Sequence, residues 1–230
     1  MATLLFELSK KEIQSAIVPH GSIDRYPFFN EFFTYLHLYV KENYLIIEST
    51  NGHFLIRLTH HGLLNPLVEK EIDFYILIKD LKPLLKNKNI CFFVADDDNL
   101  LCMDTNTTEI IQKLENQKSK ATQPYPKVDM LFPDLTELHK RKSDNSIDAS
   151  NFFAIDLHYL GEMRKSLSFL KNKKNVATFY FRENDRVIYA YHRGLNWESL
   201  VMPCNIQKHL QINYRLENSI CFPVFLINRN

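Results

Sequence analysis

The strongest constraint on the fold is an internal repeat. Phe6 and Leu8 are followed by Ile13, Ala16 and Ile17, and Phe74 and Ile76 by Leu81, Leu84 and Leu85 at the same offsets. Phe153 and Ile155 are followed by Leu160 and Met163, with Arg164 at the last aliphatic position. Two apolar residues spaced by two mark one face of a strand, and the spacings of three and four that follow mark one face of a helix. A short strand running into an amphipathic helix therefore occurs three times, and such modules bury their apolar faces against one another.

After each helix the pattern turns to β-type runs divided by turn residues. The first set is 35–40 (YLHLYV), 44–50 (YLIIEST) and 54–58 (FLIRL); the second is 90–95 (ICFFVA), 100–105 (LLCMDT) and 108–114 (TEIIQKL). The third is 177–181 (ATFYF), 186–192 (RVIYAYH) and 197–203 (WESLVMP). Each is a meander of antiparallel strands. One helix and about three strands per unit predict an α+β fold of antiparallel sheets with the helices on one face. Polar, proline-marked and charged stretches between 115 and 150 interrupt the pattern and predict a first domain over 1–134, a connector over 135–150 and a shortened second domain over 151–230. In the last segment Pro223 restricts the ICFPVFLI run to an edge strand.

Several chemistries find no support. The chain has five glycines and neither a GxGxxG nor a GxxxxGK[ST] loop, so phosphate-cradling nucleotide chemistry is disfavoured, and no cofactor is expected. No serine sits in GxSxG, and Cys204 lacks an evident acid and histidine. Cys91, Cys102, Cys204 and Cys221 form no CxxC pair and predict reduced thiols rather than structural zinc. His60 and His61 point to opposite strand faces and read as a solvated strand end, and Asp96 to Asp98 as a polar turn. Trp197, Tyr189 and Tyr191 alternate as packing aromatics do, although aromatics also stack on bases. No run approaches the roughly 20 apolar residues of a membrane span and no leader-like start is present, so a soluble cytoplasmic protein without membrane contact is expected.

Lys and Arg number 28 against 27 Asp and Glu, so net charge does not announce a nucleic-acid partner; its distribution does more. Lys79, Lys82 and Lys86 form a stripe opposite Leu81, Leu84 and Leu85, extended by Lys88. Arg164 and Lys165 lie on the third helix with Lys171, Lys173 and Lys174 just beyond it, and Lys10 and Lys11 on the first. If the helices share a face, that face is positive and meets phosphates without reading base sequence. Lysines on the wet face of any amphipathic helix, or near its C-terminus, give the same pattern for a structural reason.

Three local motifs resemble the bacterial DNA polymerase sliding clamp, the beta subunit of the replicative polymerase. Ser49 to Leu55 (STNGHFL) is similar to the Thr-Asp-Gly-His-Arg-Leu segment of the clamp's middle domain, departing at Asn51 and Phe54. Glu198 to Pro203 (ESLVMP) is similar to the Val-Met-Pro close of its last domain, and Tyr125-Pro126-Lys127-Val128 through Pro133 to an interdomain connector. In order and spacing, residues 3–133 resemble one clamp domain and 151–204 part of another, leaving no room for the usual three. The resemblance implies a non-enzymatic processivity protein that contacts double-stranded DNA non-specifically, closes into a ring by self-association and holds peptide motifs of polymerases or clamp loaders. By motif position the peptide pocket is Thr50, Gly52, His53, Leu55, Val201, Met202 and Pro203. Without the resemblance, Asn51-Gly52 is a hairpin turn and Val201 and Met202 are strand-core residues. Two rivals stand beside the clamp: a clamp-fold interaction scaffold without DNA contact, and an enzyme whose catalytic groups are assembled from distant positions.

Overall fold

The computed structural model describes residues 3–20, 31–42, 44–60, 72–86, 89–94, 99–105, 109–122, 125–126, 128, 132, 155–170, 177–180 and 187–202. In chain order the elements are β1 (Thr3–Ser9), α1 (Lys10–Ala16), β2 (Tyr35–Lys41), β3 (Tyr44–Thr50), β4 (Phe54–His60), β5 (Asp73–Leu77) and α2 (Ile78–Leu81). They continue with β6 (Asn89–Val94), β7 (Leu100–Asp104), β8 (Ile110–Leu114), α3 (Leu157–Phe169), β9 (Thr178–Tyr180), β10 (Ile188–His192) and β11 (Trp197–Val201). The fold is α+β, as the repeat predicts, and all strand pairings are antiparallel.

The units interleave. One sheet has the order β1-β6-β7-β8, the other β5-β2-β3-β4-β11-β10-β9. The strand that opens the first unit thus joins the meander of the second, and the strand that opens the second joins the meander of the first. The third meander attaches through β11, which pairs with β4 from Trp197 opposite Leu58 to Val201 opposite Phe54. The described part of the third unit therefore continues the first unit's sheet.

Local chemistry explains the helix starts. Ser9 caps α1 and Glu12 returns to the Ser9 amide at 2.7 Å, a reciprocal capping box. Asp156 caps α3 by accepting from the His158 amide at 2.8 Å. The single lysine-striped helix expected over 79–86 is instead an α-turn, Ile78–Leu81, followed by a 3-10 turn, Pro83–Lys86. Pro83 has no amide hydrogen to continue the helix, so the chain tightens there. Its periodicity still holds, with Leu81 and Leu84 buried. In the third unit Phe153 lies outside the described residues, and Ile155 leads into α3 without forming a strand.

Helix α1 packs against α3 and the Pro83–Lys86 turn over the inner face of the large sheet. Phe6, Leu8, Ile13, Ala16, Leu36, Leu38, Phe54, Ile56, Met163, Leu167 and Trp197 share this core. Hydroxyls pin the layers: Trp197 Nε1 donates to Ser166 Oγ at 2.9 Å, Ser166 Oγ lies 2.7 Å from Ser15 Oγ, and Ser49 Oγ donates to the Ala16 carbonyl at 2.5 Å. His60 corrects the sequence reading. It is not a solvated strand end, because its Nδ1 lies 2.8 Å from Glu12 Oε1 and ties β4 to the start of α1. His61 lies outside the described residues.

Candidate functional site

The turn between β3 and β4 is built by its own side chains. Asn51 Oδ1 accepts from the amides of His53 (3.1 Å) and Phe54 (2.9 Å). Thr50 Oγ1 accepts from the Gly52 amide at 3.0 Å and donates to the Phe54 carbonyl at 3.0 Å. Gly52 has φ +88°, and a Cβ there would lie 2.7 Å from Phe33 Cζ, so the glycine admits both the left-handed backbone and the ring. The hairpin-turn reading of Asn51-Gly52 therefore holds, and it coexists with a junction. The amide of Met202 donates to the carbonyl of His53 at 2.9 Å, joining two motifs far apart in sequence.

Of the residues assigned to a pocket, Gly52, His53 and Met202 are exposed, Met202 at 43%. Thr50, Leu55 and Val201 are buried and support the junction rather than line its surface. Leu55 packs on the opposite face of the sheet with Tyr189 and Leu200. Pro203 lies outside the described residues. Sequence reading missed Tyr159, whose ring stacks 6.5 Å from His53 and packs 6.0 Å from Phe54, and Leu157, 78% exposed at the start of the same helix. The available signal was Leu157 and Tyr159 ahead of Leu160 in the first turn of α3. Tyr159 is itself buried, so it backs the His53 ring from the core, while Met202 and Leu157 are exposed apolar side chains.

Lys79, Lys82, Lys86, Arg164 and Lys165 are exposed, and Lys10 and Lys11 partly so. They sit on α1, α3 and the α2 to 3-10 segment, elements that pack together, with α1 in the middle. Lys165 pairs with Glu162 at 3.6 Å, a surface contact that adds little stability and partly offsets the positive charge there. Lys88, Lys171, Lys173 and Lys174 lie outside the described residues.

The opposite face of the large sheet carries a buried polar cluster that the sequence concealed. Arg57 bonds Glu48, and Tyr39 Oη donates to Glu48 Oε1 at 3.1 Å. His37 Nε2 lies 2.8 Å from Asp73 Oδ1, its Nδ1 3.8 Å from Glu48 Oε2, and Lys118 reaches Asp73 at 2.7 Å. Burial by itself would depress the His37 imidazole, but the Asp73 and Glu48 carboxylates outweigh it and hold the proton more tightly than usual. Burial likewise lifts Glu198 above the ordinary carboxylate range despite the bond from Tyr189 Oη at 2.6 Å. Among the described residues no group of three His, Cys, Asp or Glu side chains is placed to hold a metal ion, and no helix is long and apolar enough to cross a membrane.

No family model matches the sequence, and no curated protein matches it. Solved structures do. The Helicobacter pylori beta clamp superposes with a TM-score of 0.58 at 12% identity, covering 88% of this chain and 66% of that one. The DNA polymerase III beta subunit of Pseudomonas aeruginosa gives 0.57 at 12% identity, covering 88% and 67%. That of Borrelia burgdorferi gives 0.53 at 14% identity, covering 89% and 65%. The fold is clamp-like. The chain spans slightly less than two thirds of the Borrelia subunit's length.

Proposed function

We propose that this chain is a sliding-clamp-like replication accessory protein that contacts duplex DNA without sequence preference and holds apolar peptide motifs of a polymerase or clamp loader. It acts by tethering, with no bond made or broken. Support comes from one observation above the others: the Met202 amide bonded to the His53 carbonyl joins the two motifs whose resemblance to the clamp implies a shared peptide site. Exposed Met202 beside the His53 backbone, with the exposed His53 ring backed by buried Tyr159, suits a short peptide with apolar anchors, because Met adapts its shape. Exposed cations on α3 and the 3-10 segment, both packed against α1, suit phosphates.

Fluorescence anisotropy with labelled peptides from the polymerase and loader of the same host tests the first half. Binding weakened about tenfold or more by Met202→Asp, with the far-ultraviolet spectrum unchanged, is expected; equal binding by the variant defeats the assignment. Duplex DNA retention at about 50 mM salt that falls steeply towards 200 mM tests the second half. Loss of retention in the triple variant Lys79→Glu, Lys82→Glu, Arg164→Glu is expected. A chain that binds peptide but no DNA at low salt is the interaction scaffold instead. Self-association is part of the reading: among the described residues β8 ends the smaller sheet, with Ile110 on it 65% exposed, and an unpaired edge accepts a further strand. Sedimentation at increasing concentration tests it, and a monomer throughout removes the ring.

A further inference from the structure

Topology leaves a hazardous strand at an edge. Among the described residues β5 ends the seven-stranded sheet, paired with β2 on one side only. Ile72 to Ile78 (IDFYILI) is rich in β-branched and aromatic residues, holds neither proline nor glycine and carries one charged side chain, Asp73. A segment of that composition with an open row of amides and carbonyls is the kind that recruits a strand from another chain. Its one charge is masked, since Asp73 lies 2.8 Å from His37 Nε2 and 2.7 Å from Lys118 Nζ.

The outer row of β5 is nonetheless occupied. The carboxamide of Asn116, in the stretch after β8, stands against it as a peptide unit of an added strand would: Oδ1 accepts from the Tyr75 amide at 3.1 Å, and Nδ2 donates to the Asp73 carbonyl at 3.3 Å. The next rung is backbone, the Gln117 amide donating to the Tyr75 carbonyl at 2.9 Å. Asn116 is itself held in place. Its amide donates to Asn99 Oδ1 at 3.1 Å, just before β7, and its Oδ1 also accepts from the Lys118 amide at 3.0 Å. The chain then turns away, because the Gln117 carbonyl accepts from the amides of Lys120 and Ala121 at 3.0 and 2.9 Å. Gln117 thus uses both of its backbone groups inside the molecule and offers no fresh row to a further strand.

We propose that Asn116 and Gln117 form a plug that occupies the strand-addition edge of β5 and so keeps a second copy of this chain from pairing there. The Asp73 carbonyl and both backbone groups of Tyr75 are satisfied within the chain, which removes the ladder a newcomer would use. The strand best matched to replace the plug is β5 of a second copy, since two identical strands pair antiparallel about a two-fold axis and set apolar side chains opposite one another. This inference stands whether or not the chain binds DNA, and an association through β8 leaves Tyr75 untouched.

Asn116→Ala tests it, with quenched amide exchange and sedimentation read at micromolar and at near-millimolar concentration. In the dilute variant the protection of the Tyr75 amide is expected to fall about tenfold relative to that of Ile47 in β3, the scale of a lost hydrogen bond. Raising the concentration is expected to restore that protection as species larger than those of the native chain appear. Unchanged Tyr75 protection in the variant overturns the proposal, as does native sedimentation at every concentration, or larger species in which Tyr75 stays unprotected. Should that variant not fold, Asn116→Asp decides by the same readings. It keeps the acceptor for the Tyr75 amide but sets a repelling oxygen against the Asp73 carbonyl in place of the donor, so the plug opens more often.

Discussion

Gly52 is the position where backbone and side-chain demands meet most sharply. Alanine there must hold φ +88° and find space where Phe33 Cζ already lies 2.7 Å away. The left-handed backbone alone destabilises by about 1–2 kcal/mol, and the ring must also move. Gly52→Ala is therefore expected to lower the urea midpoint and, because the turn carries His53, to weaken peptide binding; unchanged unfolding would show that Phe33 gives way freely. Glu12 is a second such point. Burial would raise its carboxyl, but the bonds from His60 and Ser9 more than compensate and hold it below the ordinary 4.5. Its stabilisation is present above that pH and lost as pH falls through the folded value. Glu12→Gln is thus expected to reduce stability at pH 6 and to flatten its decline between about pH 5 and 3, as thermal unfolding across that range would reveal. Of these two residues the sequence showed a role for Gly52 alone. Asn51-Gly52 reads as a turn on sight, whereas the Phe33 ring against it depends on a 3-10 turn, Glu31–Thr34, that no periodicity marks.

The helices were legible because their apolar spacing survives even where the geometry changes, as at Pro83, which splits the second into an α-turn and a 3-10 turn while Leu81 and Leu84 stay buried. The outer face was not. Alternation in β2 assigns Leu36 and Leu38 to the core and His37 and Tyr39 to solvent, yet Tyr125, from the stretch after β8, packs with its ring 4.4 Å from that of His37. That stretch reads as a polar linker, since its anchors Tyr125, Val128 and Phe132 are too sparse for any period. Neither could the sequence show that α1 and α3 meet through hydroxyls. Ser166→Ala would strip the Trp197 indole of its acceptor and the Ser15 hydroxyl of its partner inside the core. An unsatisfied buried donor costs about 1–3 kcal/mol, so the urea midpoint should fall by that measure. Trp197 is the chain's single tryptophan, which makes its emission a direct reporter of this joint. A variant as stable as the native chain would mean that the helices rearrange to satisfy the indole elsewhere.

The sheet orders bear on how the chain divides. A boundary near residue 134 separates the sequence cleanly, yet β11 completes the edge of β4, Met163 and Leu167 of α3 join the core with Ile13 and Ala16 of α1, and Trp197 is fully buried among them. A fragment of residues 1–134 would expose the β4 edge and the apolar face of α1 together, the combination that drives non-native strand association. Such a fragment is expected to unfold at clearly lower urea than the full chain and to aggregate at micromolar concentration. Adding a fragment of residues 151–230 is expected to restore the native midpoint and the buried emission of Trp197. In the intact chain, far-ultraviolet circular dichroism and Trp197 emission should then follow one coincident transition, because the interleaved strands β1 and β5 give neither of the first two units a sheet of its own. Two separated transitions, or a fragment 1–134 as stable as the whole, would mean instead that the β4-β11 seam is a weak docking contact between independent bodies, and a clamp-like arc would then have to open there first.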